Sequence, residues 1–132
     1  MKFNNNVCYI IPCFNEEKTI LSVVKKAQKH GKVIVIDDCS TDNSINVLEN
    51  ENIILQKNIV NLGYDKTIEE GMKIAVKKNF KFAITIDADG QHNEANLIYF
   101  NNAFNEDYSL VLASRNIKSR ISEKIFSKYT KL

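Results

Sequence analysis

Three short runs contain almost nothing polar: Val7-Cys8-Tyr9-Ile10-Ile11, Val33-Ile34-Val35-Ile36 and Phe82-Ala83-Ile84-Thr85-Ile86. Each breaks at once into polar residues, Pro12-Cys13-Phe14-Asn15-Glu16, Asp37-Asp38 and Asp87-Ala88-Asp89. A strand that is apolar at every position has both faces covered, which is the pattern of a parallel sheet between layers of helix. The intervening segments supply those layers. Ile20, Leu21, Val24 and Ala27 recur at helical spacing, with Gly31 placed to close the helix as a C-terminal cap. Pro12 is expected to stop the first strand. Ser40-Thr41-Asp42-Asn43 offers capping side chains for a short helix through Ile45, Val47 and Leu48, and Ile53–Leu55 reads as another strand. Ile68, Gly71, Met72, Ala75 and Val76 mark the apolar face of a longer helix. A helix from about Glu94 to Phe104 and a strand at Leu110–Ala113 complete the alternation. The fold class is α/β, a mostly parallel sheet with helices on both faces.

Charge divides the chain unevenly. The 132 residues carry 18 basic and 16 acidic side chains, a net +2, yet residues 115–132 hold six of the bases and one acid. We therefore expect an α/β domain over residues 1–114 and a basic amphipathic segment over 115–132. An acidic-leaning body does not fit a surface that binds nucleic acid over a whole face. No run approaches the ~18 apolar residues of a membrane span, and no apolar signal core follows Met1-Lys2. Three cysteines, an odd number, point to a reducing compartment, and the cytoplasm is the expected location. In the basic segment, Ile117, Ile121, Ile125, Tyr129 and Leu132 recur every three to four residues among Lys and Arg. That stripe fits a helix lying on anionic lipid at the inner face of a membrane, and equally a face packed on protein.

Ligands of open α/β sheets bind beyond the carboxyl ends of the strands. Here that selects Pro12–Glu16, Asp37–Ser40, Asn61–Lys66 and Asp87–His92. Asp87 and Asp89, one residue apart, repel each other unless a cation lies beside them. Their oxygens, with the Gln91 amide, suit Mg²⁺ or Mn²⁺ completed by water and phosphate. The plain alternative is a turn of solvated acids.

Five segments in order bear on that choice: Ile-Pro-Cys-Phe-Asn-Glu-Glu (11–17), Val-Ile-Asp-Asp-Cys-Ser-Thr-Asp (35–42), Asn-Leu-Gly (61–63), Asp-Ala-Asp-Gly-Gln-His (87–92) and Ala-Ser-Arg (113–115). Together, from residue 7 to about 127, they resemble the family 2 glycosyltransferases of GT-A fold, in the dolichol-phosphate mannosyltransferase-like, polyprenyl-phosphate glycosyltransferase branch. The resemblance implies a Rossmann-like nucleotide-binding half, a nucleotide-diphosphate sugar donor and transfer with inversion. It implies Pro12, Phe14 and Glu16 around base and ribose, Asp38 on the base, and Asp87 near ribose and metal. Asp89 becomes the principal metal ligand with Gln91 assisting, and Arg115 approaches phosphate. Asp87, Asp89 and Arg115 are thus the catalytic candidates, and a lipid phosphate is the candidate acceptor.

Departures matter too. Asp65-Lys66 stands where the family often has small residues; Lys66 is either a phosphate contact or a solvated lysine. Family members usually continue well past this length, so the chain is expected to be C-terminally truncated, or a short protein that binds a donor without completing transfer. A non-catalytic nucleotide-sugar-binding or partner-docking role is the alternative function. A phosphoacceptor receiver domain is a weaker rival, because its acidic pair follows the first strand rather than the second. Cys13, Cys39 and His92 lack zinc-site spacing, and Cys8 reads as core.

Overall fold

A computed structural model describes residues 6–91 and 97–98 of the chain. Four strands, β1 (Val7–Cys13), β2 (Lys32–Asp37), β3 (Ile54–Lys57) and β4 (Phe82–Thr85), form one sheet in the order β3-β2-β1-β4. Every pairing is parallel. Helix α1 (Ile20–Gln28) joins β1 to β2, a 3-10 turn (Asn46–Leu48) lies before β3, and α2 (Tyr64–Lys77) leads to β4. The expected helix 94–104 falls on the described residues only at Leu97 and Ile98, which are helical. The strand at 110–113, the basic segment 115–132, His92 and Arg115 lie outside the described residues.

Alternation within the strands makes two cores. Tyr9, Ile11, Cys13, Val33 and Val35 face Ile20, Val23, Val24 and Ala27 of α1, while Cys8, Ile10, Ile34 and Ile36 face Ala75 of α2. Central strands covered on both sides need apolar residues at every position, which is why β1 and β2 could be read directly.

Local signals misled at four points. Strand β1 runs through Pro12 to Cys13 rather than stopping. The Ile10 carbonyl accepts from Ile86 on the β4 side, and the Cys13 carbonyl accepts from Asp38 on the β2 side. Pro12, two residues beyond Ile10, therefore turns its donorless nitrogen toward β4, past the last paired residue, so no ladder bond is lost. Gly31 has no left-handed φ; a Cβ there would stand 3.0 Å from the Val7 carbonyl oxygen and 3.1 Å from the Tyr9 ring, so close approach to β1 is what requires glycine. The Ser40–Asn43 side chains do not cap the 3-10 turn, whose cap residue Ile45 makes no side-chain bond. Those of Ser40, Thr41 and Asp42 reach across to the loop after β1, as described below, while Asn43 Oδ1 accepts from Asn46 Nδ2. The buried face of α2 is Thr67, Gly71 and Ala75, whereas Met72 and Val76 are exposed.

Gly71 is where α2 comes nearest the sheet. A Cβ there would lie 2.4 Å from Ile10 Cγ2, inside the core. Gly71→Ala gains helix propensity of about 1 kcal/mol but forces Ile10 or the helix to move, typically at 1–3 kcal/mol. A net loss of stability is the expected outcome, read as a lower urea midpoint with an unchanged slope.

Candidate active site

Strand order fixes the place. From β1 the chain steps outward to β2 and β3, then crosses back to put β4 on the other side of β1. The carboxyl ends of β1 and β4 therefore diverge at a switch point, where open α/β sheets form their ligand crevice. A cavity of about 360 Å³ opens there. Pro12, Cys13, Phe14 and Glu16 line it from the end of β1, Asp38 from the end of β2, and Asp87, Ala88 and Asp89 from the end of β4. Asn61, Gly63, Tyr64 and Thr67 close it from the start of α2. Four of these twelve residues are carboxylic acids, and none is Lys or Arg, so the cavity favours a cation.

The wall made by the β1 and β2 ends is held by a clasp. Asn15, at φ 55°, donates its N–H to Ser40 Oγ (2.9 Å) and accepts from Thr41 N–H on its Oδ1 (2.8 Å). The Glu16 N–H donates to Ser44 Oγ (2.7 Å) and the Glu17 N–H to Asp42 Oδ2 (3.1 Å). Glu17 Oε2 in turn accepts from Asn43 N–H (3.0 Å), and Ser44 Oγ donates to Asp42 Oδ1. Desolvation pushes the Asp42 carboxyl up, but bonds from Ser44 and Glu17 outweigh it and hold the group below the usual carboxylate range. The polar residues of segments 11–17 and 35–42 thus bind one another, and so aim Phe14 and Glu16 at the cavity. Glu16 also accepts from Thr19 Oγ1 (2.9 Å).

Asp38 organises the next wall. It is 4 % exposed. Its Oδ1 accepts from Asn58 Nδ2 (2.9 Å) and Leu62 N–H (2.8 Å), and its Oδ2 from Gly63 N–H (2.9 Å). Burial pushes this carboxyl up, yet the bonds from Leu62, Asn58, Gly63 and Thr67 together bring it below its ordinary value. Gly63, at φ 84°, precedes the first turn of α2 in a backbone conformation that few other residues adopt.

Across the cavity, Tyr64 Oη donates to Asp87 Oδ1 at 2.6 Å. Burial first, then the Asp87 carboxylate, raises the phenol above its ordinary value, so it remains a donor at neutral pH. Asp89 is exposed, and its Oδ1 accepts from Gln91 N–H (2.9 Å), which leaves the carboxylate directed by the turn at Gly90. Gln91 is exposed and does not line the cavity; nor does Lys66, which is exposed in the first turn of α2. Burial raises the Cys13 thiol to about 11, which disfavours the thiolate that zinc requires. Among the described residues no three His, Cys, Asp or Glu side chains gather into a metal cage.

A sequence model of glycosyl transferase family 2 matches residues 8–129. The chain belongs to that family. Two Methanocaldococcus jannaschii proteins of uncharacterised function are similar to it. One is 35% identical over 91 residues, covering 67% of this chain and 37% of its own, and the other 43% identical, covering 63% and 40%. The UDP-N-acetylglucosamine–dolichyl-phosphate N-acetylglucosaminyltransferase of Methanococcus voltae is 33% identical over 102 residues, covering 63% of this chain and 41% of its own. This family 2 chain therefore spans about two fifths of the length of these relatives. Among solved structures, glucosyl-3-phosphoglycerate synthase of Mycobacterium tuberculosis, in complex with Mn²⁺, uridine diphosphate and glucosyl-3-phosphoglycerate, superposes with a TM-score of 0.62. The identity is 18%, over 76% of this chain and 40% of that one, so the likeness is one of GT-A fold.

Thr67 escaped the sequence reading, and Tyr64, though inside the selected segment Asn61–Lys66, was not singled out there. Only the Gly63 that starts their helix was a visible signal, and nothing local announces that a phenol will meet a carboxylate 23 residues further on.

Proposed function

We propose that this family 2 chain binds a nucleoside-diphosphate sugar in the cavity between β1 and β4 and takes part in transferring the sugar, with inversion, to an acceptor. The observation that carries the reading is the cavity itself. An exposed aromatic, Phe14, lies on one wall and the pair Asp87 and Asp89 on the other, so a base would meet an aromatic face and a diphosphate would meet the carboxylates through a divalent cation. Pro12, Phe14 and Glu16 would flank base and ribose, with Asp38 at their floor. Uridine nucleotides are the first donors to try, given the names of the Methanococcus voltae relative and of the solved complexes.

A divalent cation fits the donor set. Asp87 and Asp89 supply hard oxygen ligands, and with no protein cage among the described residues the rest of the shell would be water and diphosphate, the usual manner of Mg²⁺ and a fit for Mn²⁺. Bound there, the ion neutralises charge on the departing diphosphate as a Lewis acid. Asp89 would hold it, Asp87 would support it, and Tyr64 fixes the orientation of Asp87. A polyprenyl phosphate is the acceptor class we infer, because it is already anionic and asks little of a general base. Arg115 would approach phosphate from the segment beyond.

Calorimetry of UDP, GDP and their sugar conjugates, each with and without Mn²⁺, tests the donor reading. Binding of one nucleoside diphosphate, strengthened at least about tenfold by the ion, is expected. Equal or absent binding in both conditions would overturn it.

A further inference from the structure

The loop between β3 and α2 presents an unusual surface. Ile59 is 95 % exposed, Val60 59 % and Leu62 38 %, three aliphatic side chains within four residues. The backbone that carries them is held firmly. The Asn58 N–H donates to the Asp37 carbonyl (2.8 Å), the Asn58 amide and Leu62 N–H bond Asp38, and Cys39 Sγ donates to the Ile59 carbonyl (3.5 Å). The sheet therefore holds an apolar tip out in water. An apolar patch of this kind is comparable with the largest on a typical monomer, which is often functional.

We propose that this loop is a docking point for an anionic lipid bilayer, set beside the mouth of the cavity that Asn61, Gly63 and Tyr64 help to line. Area argues against a protein partner. Three aliphatic side chains offer on the order of 300 Å², well short of the roughly 800 Å² per partner of a stable protein interface. Charge argues for lipid. Exposed Lys57 and Lys66 stand at the two ends of the loop, and Asp65 is the single acid between them. An aliphatic tip bracketed by lysines is the composition of a segment that seats in the headgroup region.

Two measurements test it. The chain has no Trp, so Ile59→Trp creates a single reporter. Its emission should move to shorter wavelength, and be quenched by brominated acyl chains, on vesicles of phosphatidylcholine with phosphatidylglycerol. In cosedimentation, the double variant Ile59→Asp/Val60→Asp should bind such vesicles on the order of 30-fold more weakly than the parent. Its melting should match the parent's, because both side chains point into water. Residues 117–132 are intact in both proteins, so vesicle binding by that segment alone would leave the double variant equal to the parent and overturn the proposal. An indole that stays water-exposed with lipid, or that shifts with protein concentration in its absence, would also overturn it. Neither measurement uses a nucleotide, so failure here is distinct from failure of the donor reading.

Discussion

Asp89→Ala should lower metal-dependent release of nucleoside diphosphate from the donor by about 10²–10³-fold, the usual scale for losing one group that stabilises developing charge. Asp89 is exposed at the end of the β4 loop, where its Oδ1 accepts from the Gln91 amide. Folding therefore asks little of it, and the variant should melt within about 0.5 kcal/mol of the parent. Asp89→Asn is the sharper control. It keeps an oxygen for the Gln91 N–H but loses the charge, so it should retain the turn and still lose the response to added Mn²⁺. If the parent binds nucleotide with Mn²⁺ yet releases no product from any donor, the comparison moves to calorimetry. There Asp89→Ala should abolish the gain from the ion, and the chain would be a donor-binding module. Parent-like turnover in both variants would remove Asp89 from the chemistry.

The strand ends that frame this site were legible because their position depends on topology rather than on contacts. Apolar runs at Val7–Ile11, Val33–Ile36 and Phe82–Ile86 fix three of the site's anchor points once the sheet is taken as parallel, and the structure realises that sheet. What could not be read was anything decided by which way a backbone or helix faces. Pro12 looked like a stop because a strand-breaker rule does not know on which side a ladder has ended. Met72 and Val76 looked buried because α2 was phased on its most hydrophobic residues. The sheet instead selects Thr67, Gly71 and Ala75, the small residues that let the helix approach Ile10 and Ile36. Lys66 and Tyr64 are two residues apart, yet only Tyr64 reaches the cavity. The Ser40–Asn43 run illustrates a further limit: its side chains have capping chemistry, but the backbone donors met by Ser40 Oγ and Asp42 Oδ2 belong to Asn15 and Glu17, some 25 residues away.

Asp38 also serves two ends, and its replacement should show both. Its carboxylate gathers three donors that bring Asn58, Leu62 and Gly63 onto the end of β2. Asp38→Ala would leave the part-buried Leu62 N–H without its acceptor and the Gly63 N–H with Asn61 Oδ1 alone, a loss of roughly 2–4 kcal/mol by the scale of charged hydrogen bonds. Should that variant not fold, Asn58→Ala removes one donor only and should cost about 1–2 kcal/mol. The sign of the pH effect follows from the carboxyl lying below its ordinary value when folded. The bonds contribute fully above the unfolded pKa, near 3.9, and are lost as pH falls through the lower folded value. Urea midpoints should therefore fall steeply below about pH 4 in the parent, and less steeply in Asp38→Asn; Asp42, shifted the same way, keeps part of the slope in both. Hydrogen exchange locates the effect. In Asn58→Ala the Leu62 and Gly63 amides should exchange faster while those of β1 do not change, because the loop opens without the sheet. Nucleoside diphosphate binding should weaken in the same variant, since the loop that loses its anchor carries Asn61, Gly63 and Tyr64 into the cavity wall. Unaltered exchange at Leu62 and Gly63 in Asn58→Ala would show that the loop stands without the Asn58–Asp38 bond and would detach that bond from the site.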